Sequence, residues 1–308
     1  MTRFFLFYIM ETKTQLFLTM RKIDSIPLKR WIFARNMCNN FDFIHSRKIV
    51  SRAYYKLWEM LSLYHIGALL PSKFKCCHLA EAPGGFTQAI YDKFGNRITK
   101  CIAISKPPST YRDVLMTSRK IPIFSKSINR NVILKYIDIC DEDSFIDDDK
   151  YDFITADGGI DDGNEYENKE CLHNNLIFHE INHILSLQKK GGCCILKFFE
   201  TFTERTIVDL WNLRKHYSFF DIVKPLTSRP TNSERYMVCY GFGTPNHQKF
   251  EDFKSYILRQ NNTLINSQIH HIETVLDFDQ RILNVNINKK EFTTMKIWSK
   301  KIWEEMCG

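Results

Sequence analysis

The sequence predicts an α/β fold: a mostly parallel seven-stranded sheet with an antiparallel last strand, plus helical additions at both ends. Three observations predict it. From residue 76 onward short apolar runs alternate with amphipathic helical stretches, the pattern of a parallel sheet covered on both faces. The last two apolar runs are too close to hold a helical crossover, so they pair antiparallel. Ionisable residues close several of the runs, which is where an open sheet of this kind keeps its chemistry.

The elements follow in order. Cys76–Ala82 is the first apolar run and stops at Pro83-Gly84-Gly85. Phe86, Ala89, Ile90 and Phe94 then fall on one side of a helix with Gly95 as its C-cap. Cys101–Ser105, Val132–Ile139 and Tyr151–Ala156 are the next strands. Leu172, Leu176, Ile177, Ile181, Ile184 and Leu185 mark an amphipathic helix that ends at Gly191-Gly192. A strand over Cys193–Phe199 and a helix over about Glu204–His216 precede the closing strands, Phe219–Lys224 and Tyr236–Phe242. Residues 246–308 are mostly helical in pattern, with Trp298 and Trp303 as packing anchors. Near the start, Phe4–Met10 predicts a buried strand or short helix. The chain thus divides into a basic N-terminal extension (1–49), a central domain (50–245) and a helical C-terminal extension (246–308).

Phe4–Met10 is the longest apolar run and far too short to span a membrane, and it lacks a signal-peptide cleavage pattern. No membrane partner is expected. The ten cysteines include the adjacent pairs Cys76-Cys77 and Cys193-Cys194 inside strand-like runs, and no Cys-x-x-Cys occurs. Reduced thiols in an intracellular protein, cytoplasmic or nuclear, fit this better than a disulfide scaffold. The net charge of +8 is confined to residues 1–56, where eleven Lys/Arg face three Asp/Glu. Lys29, Arg30 and Arg52 belong to this basic stretch, which can meet a polyanion or simply face water. Richness in Asn, Ile, Lys and Phe suits an AT-rich genome, such as that of a large DNA virus.

Glu81-Ala82-Pro83-Gly84-Gly85-Phe86 forms a strand-to-helix turn. Two glycines there let the main chain approach a ligand, and the helix start offers free N–H groups. Neither a Gly-x-Gly-x-x-Gly pattern nor a Gly-Lys-Ser/Thr phosphate loop is present, which disfavours a dehydrogenase and a nucleoside triphosphatase. Lys56, Asp157, Lys197 and Glu234 are the ionisable residues that stand out. They lie in Ser51-Arg52-Ala53-Tyr54-Tyr55-Lys56-Leu57, at the end of Phe153–Ala156, at the end of the Cys193–Leu196 run, and after Ser228-Arg229-Pro230-Thr231-Asn232-Ser233.

Taken in order, these motifs resemble the FtsJ-like RNA ribose 2′-O-methyltransferases over about residues 50–242. Val223–Cys239 is especially similar to the mRNA cap enzymes of that family. The resemblance implies a Rossmann-like class I methyltransferase domain using S-adenosylmethionine, with RNA as partner, most specifically the 5′ end of capped mRNA. It implies a catalytic tetrad of Lys56, Asp157, Lys197 and Glu234. It also implies cofactor contacts from Glu81, Pro83, Gly84, Gly85, Phe86, Asp157 and Asp138, the last toward adenine, and RNA contacts from Lys29, Arg30, Arg52, Arg229 and Ser233. Two departures stand out: His78 replaces an acid common before the Gly turn, and Ser105-Lys106 ends the second strand where an acid usually holds the cofactor ribose. Glu81 is the substitute for that contact.

By the same resemblance Lys197 is the base for the ribose hydroxyl. A free lysine, with a pKa of about 10.4, is neutral in roughly one molecule in 2,500 at pH 7. Burial and the like charge of Lys56 are expected to lower that pKa, while Asp157 and Glu234 oppose the shift. An alternative has Lys197 only steer the hydroxyl, with late proton loss to solvent. His179-Glu180-Ile181-Asn182-His183 spells a zinc-protease pattern, but Ser186 and Lys189 occupy the positions that its metzincin extension requires. No metal is expected, and a helix-surface role is assigned to the two histidines. Two other functions stay open: a ribosomal or transfer RNA 2′-O-methyltransferase, and an inactive cap- or RNA-binding subunit.

Overall fold

In the computed structural model the described residues are 3–39, 41, 44, 49–106, 132–141, 143–160, 166–244, 247–282 and 289–307. Arg47 and Lys48 of the basic stretch lie outside them. Two helices, α1 (Arg3–Ile23) and α2 (Leu28–Cys38), come first, then α3 (Ala53–Leu63) and the single turn α4 (Ile66–Leu69). The core then runs β1 (Phe74–Leu79), α5 (Gly85–Phe94), β2 (Ile98–Ser105), β3 (Val132–Tyr136), β4 (Tyr151–Ala156), α6 (Lys169–Leu187), β5 (Gln188–Phe198), α7 (Glu204–Arg214), β6 (Tyr217–Val223) and β7 (Arg235–Phe242). Two helices, α8 (Phe250–Ile282) and α9 (Lys289–Cys307), follow.

The seven strands form one sheet in the order β3-β2-β1-β4-β5-β7-β6. All pairings are parallel except the two made by β7, which lies antiparallel between β5 and β6. Strand order reverses between β1 and β4, the position where open sheets leave a crevice at their carboxyl edge. Both sheet faces are buried. Cys77, Ile102, Ile154, Cys194 and Met237 pack under α6 and α7. Cys76, Cys101, Phe153, Cys193 and Val238 pack under α3 and α5. All ten cysteines are unpaired; seven are buried and Cys171 is exposed.

Several boundaries differ from those expected. The helix drawn to Gly191-Gly192 ends at Leu187, and the glycines lie inside β5. The register slips where Tyr151 pairs Gln188 but Phe153 pairs Cys193, so the extra residues form a bulge. Gly191 has φ +80°, and a Cβ on Gly192 would stand 2.2 Å from Gln188 Nε2 and 2.8 Å from the Asp152 carbonyl oxygen. Phe4–Met10 is part of the 21-residue α1. Of the two tryptophans, Trp303 is 8% exposed and meets Tyr55 edge to face, whereas Trp298 is 53% exposed.

The flanking helices fasten the core. Leu16 and Met20 of α1 and Trp31 and Ala34 of α2 share a cluster with Ile265, Ile269, Ile272 and Val275 of α8. At the other end the Cys307 carbonyl oxygen accepts from Trp58 Nε1 (3.0 Å) and Ser62 Oγ (3.2 Å), tying α9 to α3. Among the described residues no helix is long and apolar enough to cross a membrane.

Candidate active site

Strand register assembles the four ionisable residues. Ala156 of β4 pairs Leu196 of β5, so Asp157 emerges beside Lys197. Lys197 pairs Tyr236 across the antiparallel β5–β7 ladder, so Glu234, two residues before Tyr236, reaches the same edge. Lys56 comes from the first turn of α3, whose apolar face is pinned by Leu57, Met60 and Leu61.

Two ion pairs result. Lys56 Nζ lies 2.7 Å from Glu234 Oε1 and donates to Oε2 at 2.8 Å. Lys197 Nζ lies 3.2 Å from Asp157 Oδ1 and donates to the Asp157 carbonyl oxygen at 2.7 Å. Tyr236 stands between them, its hydroxyl donating to Asp157 Oδ1 at 2.9 Å. Ser228 Oγ donates to Glu234 Oε1 at 2.8 Å. Behind Asp157, Gly158 N–H donates to Glu180 Oε1 at 3.0 Å.

The electrostatics correct one expectation. Burial is the largest single influence on Lys197 and favours the neutral amine, but Asp157, Glu234 and Glu180 together outweigh it, so its pKa is raised rather than lowered. Glu234 shows the converse: burial pushes its pKa up, yet Lys56, Lys197 and Lys224 hold it well below the usual carboxylate range. The site at rest is an ordered lattice of opposite charges.

The turn after β1 has a narrower part than expected. Gly84 adopts φ +105°, which favours glycine. Gly85 makes room for the protein itself: a Cβ there would meet Ser51 Oγ at 2.2 Å and Ala53 Cβ and Tyr54 N at 3.0 Å. Phe86 is fully buried against Tyr236, and Pro83, half-buried, follows a cis peptide bond. Glu81 is buried, and its Oε1 accepts Thr87 N–H at 2.7 Å, so that oxygen is committed to the start of α5. Asp138 lies just past β3, 2.7 Å from Lys106, which holds its carboxyl below the usual range.

The RNA candidates are not gathered into one place. Lys29 is exposed on α2, while Arg30 is spent on a two-pronged pair with Asp279 of α8, at 2.7 and 2.6 Å. Arg52 donates to the Thr227 carbonyl oxygen at 3.0 Å, Ser233 is buried and Arg229 half-buried. The protease-like pattern also disperses. His183 Nε2 meets the Ile139 carbonyl oxygen and Ser144 Oγ, at 3.1 and 3.0 Å, while Glu180 faces Gly158.

Sequence reading missed Tyr236, Ser228, Lys224, Glu180 and Glu59. Lys224 closes an apolar run, so the strand-end signal that marks Lys197 was available for it too. Glu59 is buried and takes the N–H groups of Leu226 (2.7 Å) and Thr227 (3.2 Å) and the Thr227 hydroxyl (2.9 Å). No local pattern announces such a contact across 167 residues.

A wound sheet carries this charge cluster at its carboxyl edge, and residues 49–242 match the model of the FtsJ-like methyltransferases. The chain belongs to that family. It is 28% identical over 284 residues to cap-specific mRNA (nucleoside-2′-O-)-methyltransferase 1 of Dictyostelium discoideum, covering 83% of this chain and 36% of that protein. It is 29% identical over 153 residues to the cap-specific mRNA (nucleoside-2′-O-)-methyltransferase of Autographa californica nuclear polyhedrosis virus, covering 47% and 54%. A Plasmodium falciparum structure described as a ribosomal RNA methyltransferase aligns with TM-score 0.46 and 20% identity, over 62% of this chain and 97% of that one. The chain therefore spans about a third to a half of the length of the two curated relatives.

Proposed function

We propose that this chain transfers a methyl group from S-adenosylmethionine to a ribose 2′-hydroxyl of RNA, at the first transcribed nucleotide of capped mRNA. The observation that carries the proposal is the pair of opposed ion pairs, Lys56–Glu234 and Lys197–Asp157, joined through Tyr236 at the carboxyl edge. The acceptors present suit the cofactor. Asp157 offers a carboxylate for an ammonium, and Asp138, ionised beside Lys106, offers one for the amino group of a purine. Glu81, Pro83, Gly84, Gly85 and Phe86 shape the turn beneath them, contributing main chain rather than side chains. When bound, the cofactor supplies an electrophilic methyl group on a sulfonium.

The residues then have separate tasks. Lys197 takes the proton of the 2′-hydroxyl, and Asp157 holds the Lys197 amine in direction through its carbonyl oxygen. Lys56, held by Glu234, stabilises the negative charge that develops on the ribose oxygen. The positive charge is already built and fixed, so little reorganisation accompanies reaction.

Capped RNA is favoured by the curated relatives, which are named cap-specific mRNA (nucleoside-2′-O-)-methyltransferases, and by the similarity of Val223–Cys239 to the cap enzymes. The cap then serves as a remote handle whose binding energy places the next ribose. Viral relatives and the composition add to this proposal a virus as source and an intracellular place of action.

The test is transfer from labelled S-adenosylmethionine to capped, uncapped and structured RNAs, followed by nuclease digestion to locate the label. Label on the first transcribed ribose of capped RNA is expected. Equal labelling without a cap, or label confined to structured RNA, moves the assignment to the ribosomal or transfer RNA class.

A further inference from the structure

Glu234 is carried into the site by residues 224–234, a segment of turns between β6 and β7. Buried charge fixes this segment from two sides. Glu59 of α3 holds its near end through Leu226 and Thr227. Lys224 holds its far end: Nζ donates to the Asn232 carbonyl oxygen at 2.7 Å, to Asn232 Oδ1 at 2.9 Å and to the Glu234 carbonyl oxygen at 2.8 Å. An ammonium has three N–H donors, and these three acceptors match them one for one. Ser228 Oγ stands further off at 3.5 Å.

We propose that Lys224 is a positioning residue: its ammonium clamps the main chain of Glu234 so that the Glu234 carboxylate meets Lys56, and loss of one proton from Lys224 slackens that clamp. What the clamp serves rests on the methyl-transfer reading; the clamp itself rests on the three contacts. Neutral lysine keeps only two donors, so one of the contacts must open.

The surroundings make that proton labile. Lys224 is faced by Glu234 and Arg235 at the start of β7, by Lys56 of α3 and by Glu200 after β5. Burial first, then Arg235 and Lys56, push its pKa down to about 7 against the pull of Glu234 and Glu200. Lys197 is shifted the other way. A rise in pH therefore frees the Lys197 amine and loosens the Lys224 clamp at once, and the rate should climb less steeply than one lysine alone dictates.

Two variants separate the effects. Lys224→Met keeps the stem and removes every donor; Lys224→Arg keeps a charge that does not titrate. Lys224→Met is expected to lower kcat roughly tenfold to a hundredfold. KM for capped RNA and the affinity for S-adenosylhomocysteine should stay within about twofold, since neither ligand is held by Lys224. Lys224→Arg should recover relative to wild type as pH rises from about 7 to about 9. A second readout needs no turnover. Amide hydrogen exchange in residues 225–236, corrected for its intrinsic pH dependence, should quicken in the wild type between about pH 6 and about pH 8.5 and stay flat in Lys224→Arg.

Unchanged kcat in a folded Lys224→Met protein, or wild-type exchange indifferent to pH, overturns the proposal. Should Lys224→Met not fold, the comparison of wild type with Lys224→Arg decides. A wild type that methylates no RNA sinks the methyl-transfer reading, while the exchange arm still judges the clamp.

Discussion

Lys197 sits beside the carboxylates of Asp157 and Glu234, with the carboxyl group of Glu180 behind them, and their pull raises its pKa and keeps it an ammonium at rest. Its pKa is raised, so the fraction able to accept a proton should keep growing with pH up to and beyond the ordinary lysine range. Single-turnover transfer measured across pH should show no plateau below about pH 9, apart from the Lys224 effect. Lys197→Ala should lose at least about a hundredfold in rate with cofactor affinity nearly unchanged, and Lys197→Arg should fail as well, because guanidinium cannot accept the proton. Substantial turnover by either variant excludes the role as base. Glu180, one layer back, has the opposite balance: burial pushes its pKa up to about 8. A raised carboxyl stabilises the fold fully below its unfolded value, and that stability is lost as pH rises through the folded one. Urea midpoints should therefore fall between about pH 5 and about pH 8, and Glu180→Gln should cut the decline by roughly 1–3 kcal/mol. Part of the decline will persist, because Glu81 is also pushed up to about 8 by burial.

Between elements, the contact of α5 with α3 is set by a missing side chain. Gly85→Ala places a methyl 2.2 Å from Ser51 Oγ and 3.0 Å from the Tyr54 main-chain nitrogen. The start of α3, and Lys56 with it, must move, at a cost of about 1–3 kcal/mol in denaturant unfolding. Adding Ser51→Gly relieves the clash with the hydroxyl but not that with the main chain, so a partial rescue is expected; full rescue means the helices were never forced apart. The same contact shows where a sequence can be read. Alternating apolar runs place every strand, and strand ends name Lys197 and Asp157, because hydrophobic periodicity and sheet topology are local signals. Gly191-Gly192 misleads because paired glycines ordinarily stop a helix, whereas here Gly192 makes room for the Gln188 side chain and the Asp152 carbonyl, and Gly191 takes φ +80° in the bulge. Trp298 and Trp303 are indistinguishable until the partner of α9 is known. Tyr236, Glu59 and Ser228 stay hidden because register and loop packing, not any spacing, bring them to the site.

For the whole molecule, Arg3, Lys13, Arg21, Lys22, Lys29, Arg30 and Arg35 lie on α1 and α2, which pack on α8, with Arg30 already paired to Asp279. Lys22 and Lys29 remain exposed. Replacing both by alanine should weaken RNA binding and reduce the slope of log affinity against log salt by up to about 1.4, for single-stranded RNA. An unchanged slope places this face away from RNA. The sheet carries a consequence of another kind. Because β7 runs against its neighbours, the beginning of the last strand to be made, rather than an end, faces the chemistry. Lys56 waits across 178 residues for Glu234, and Asp157 across 79 for Tyr236. A chain leaving the ribosome therefore carries Lys56, Asp157 and Lys197 long before it holds the strand that joins them. Until β7 slides between β5 and β6, the newborn protein has the cofactor crevice and three of its four charges, and no means of using them.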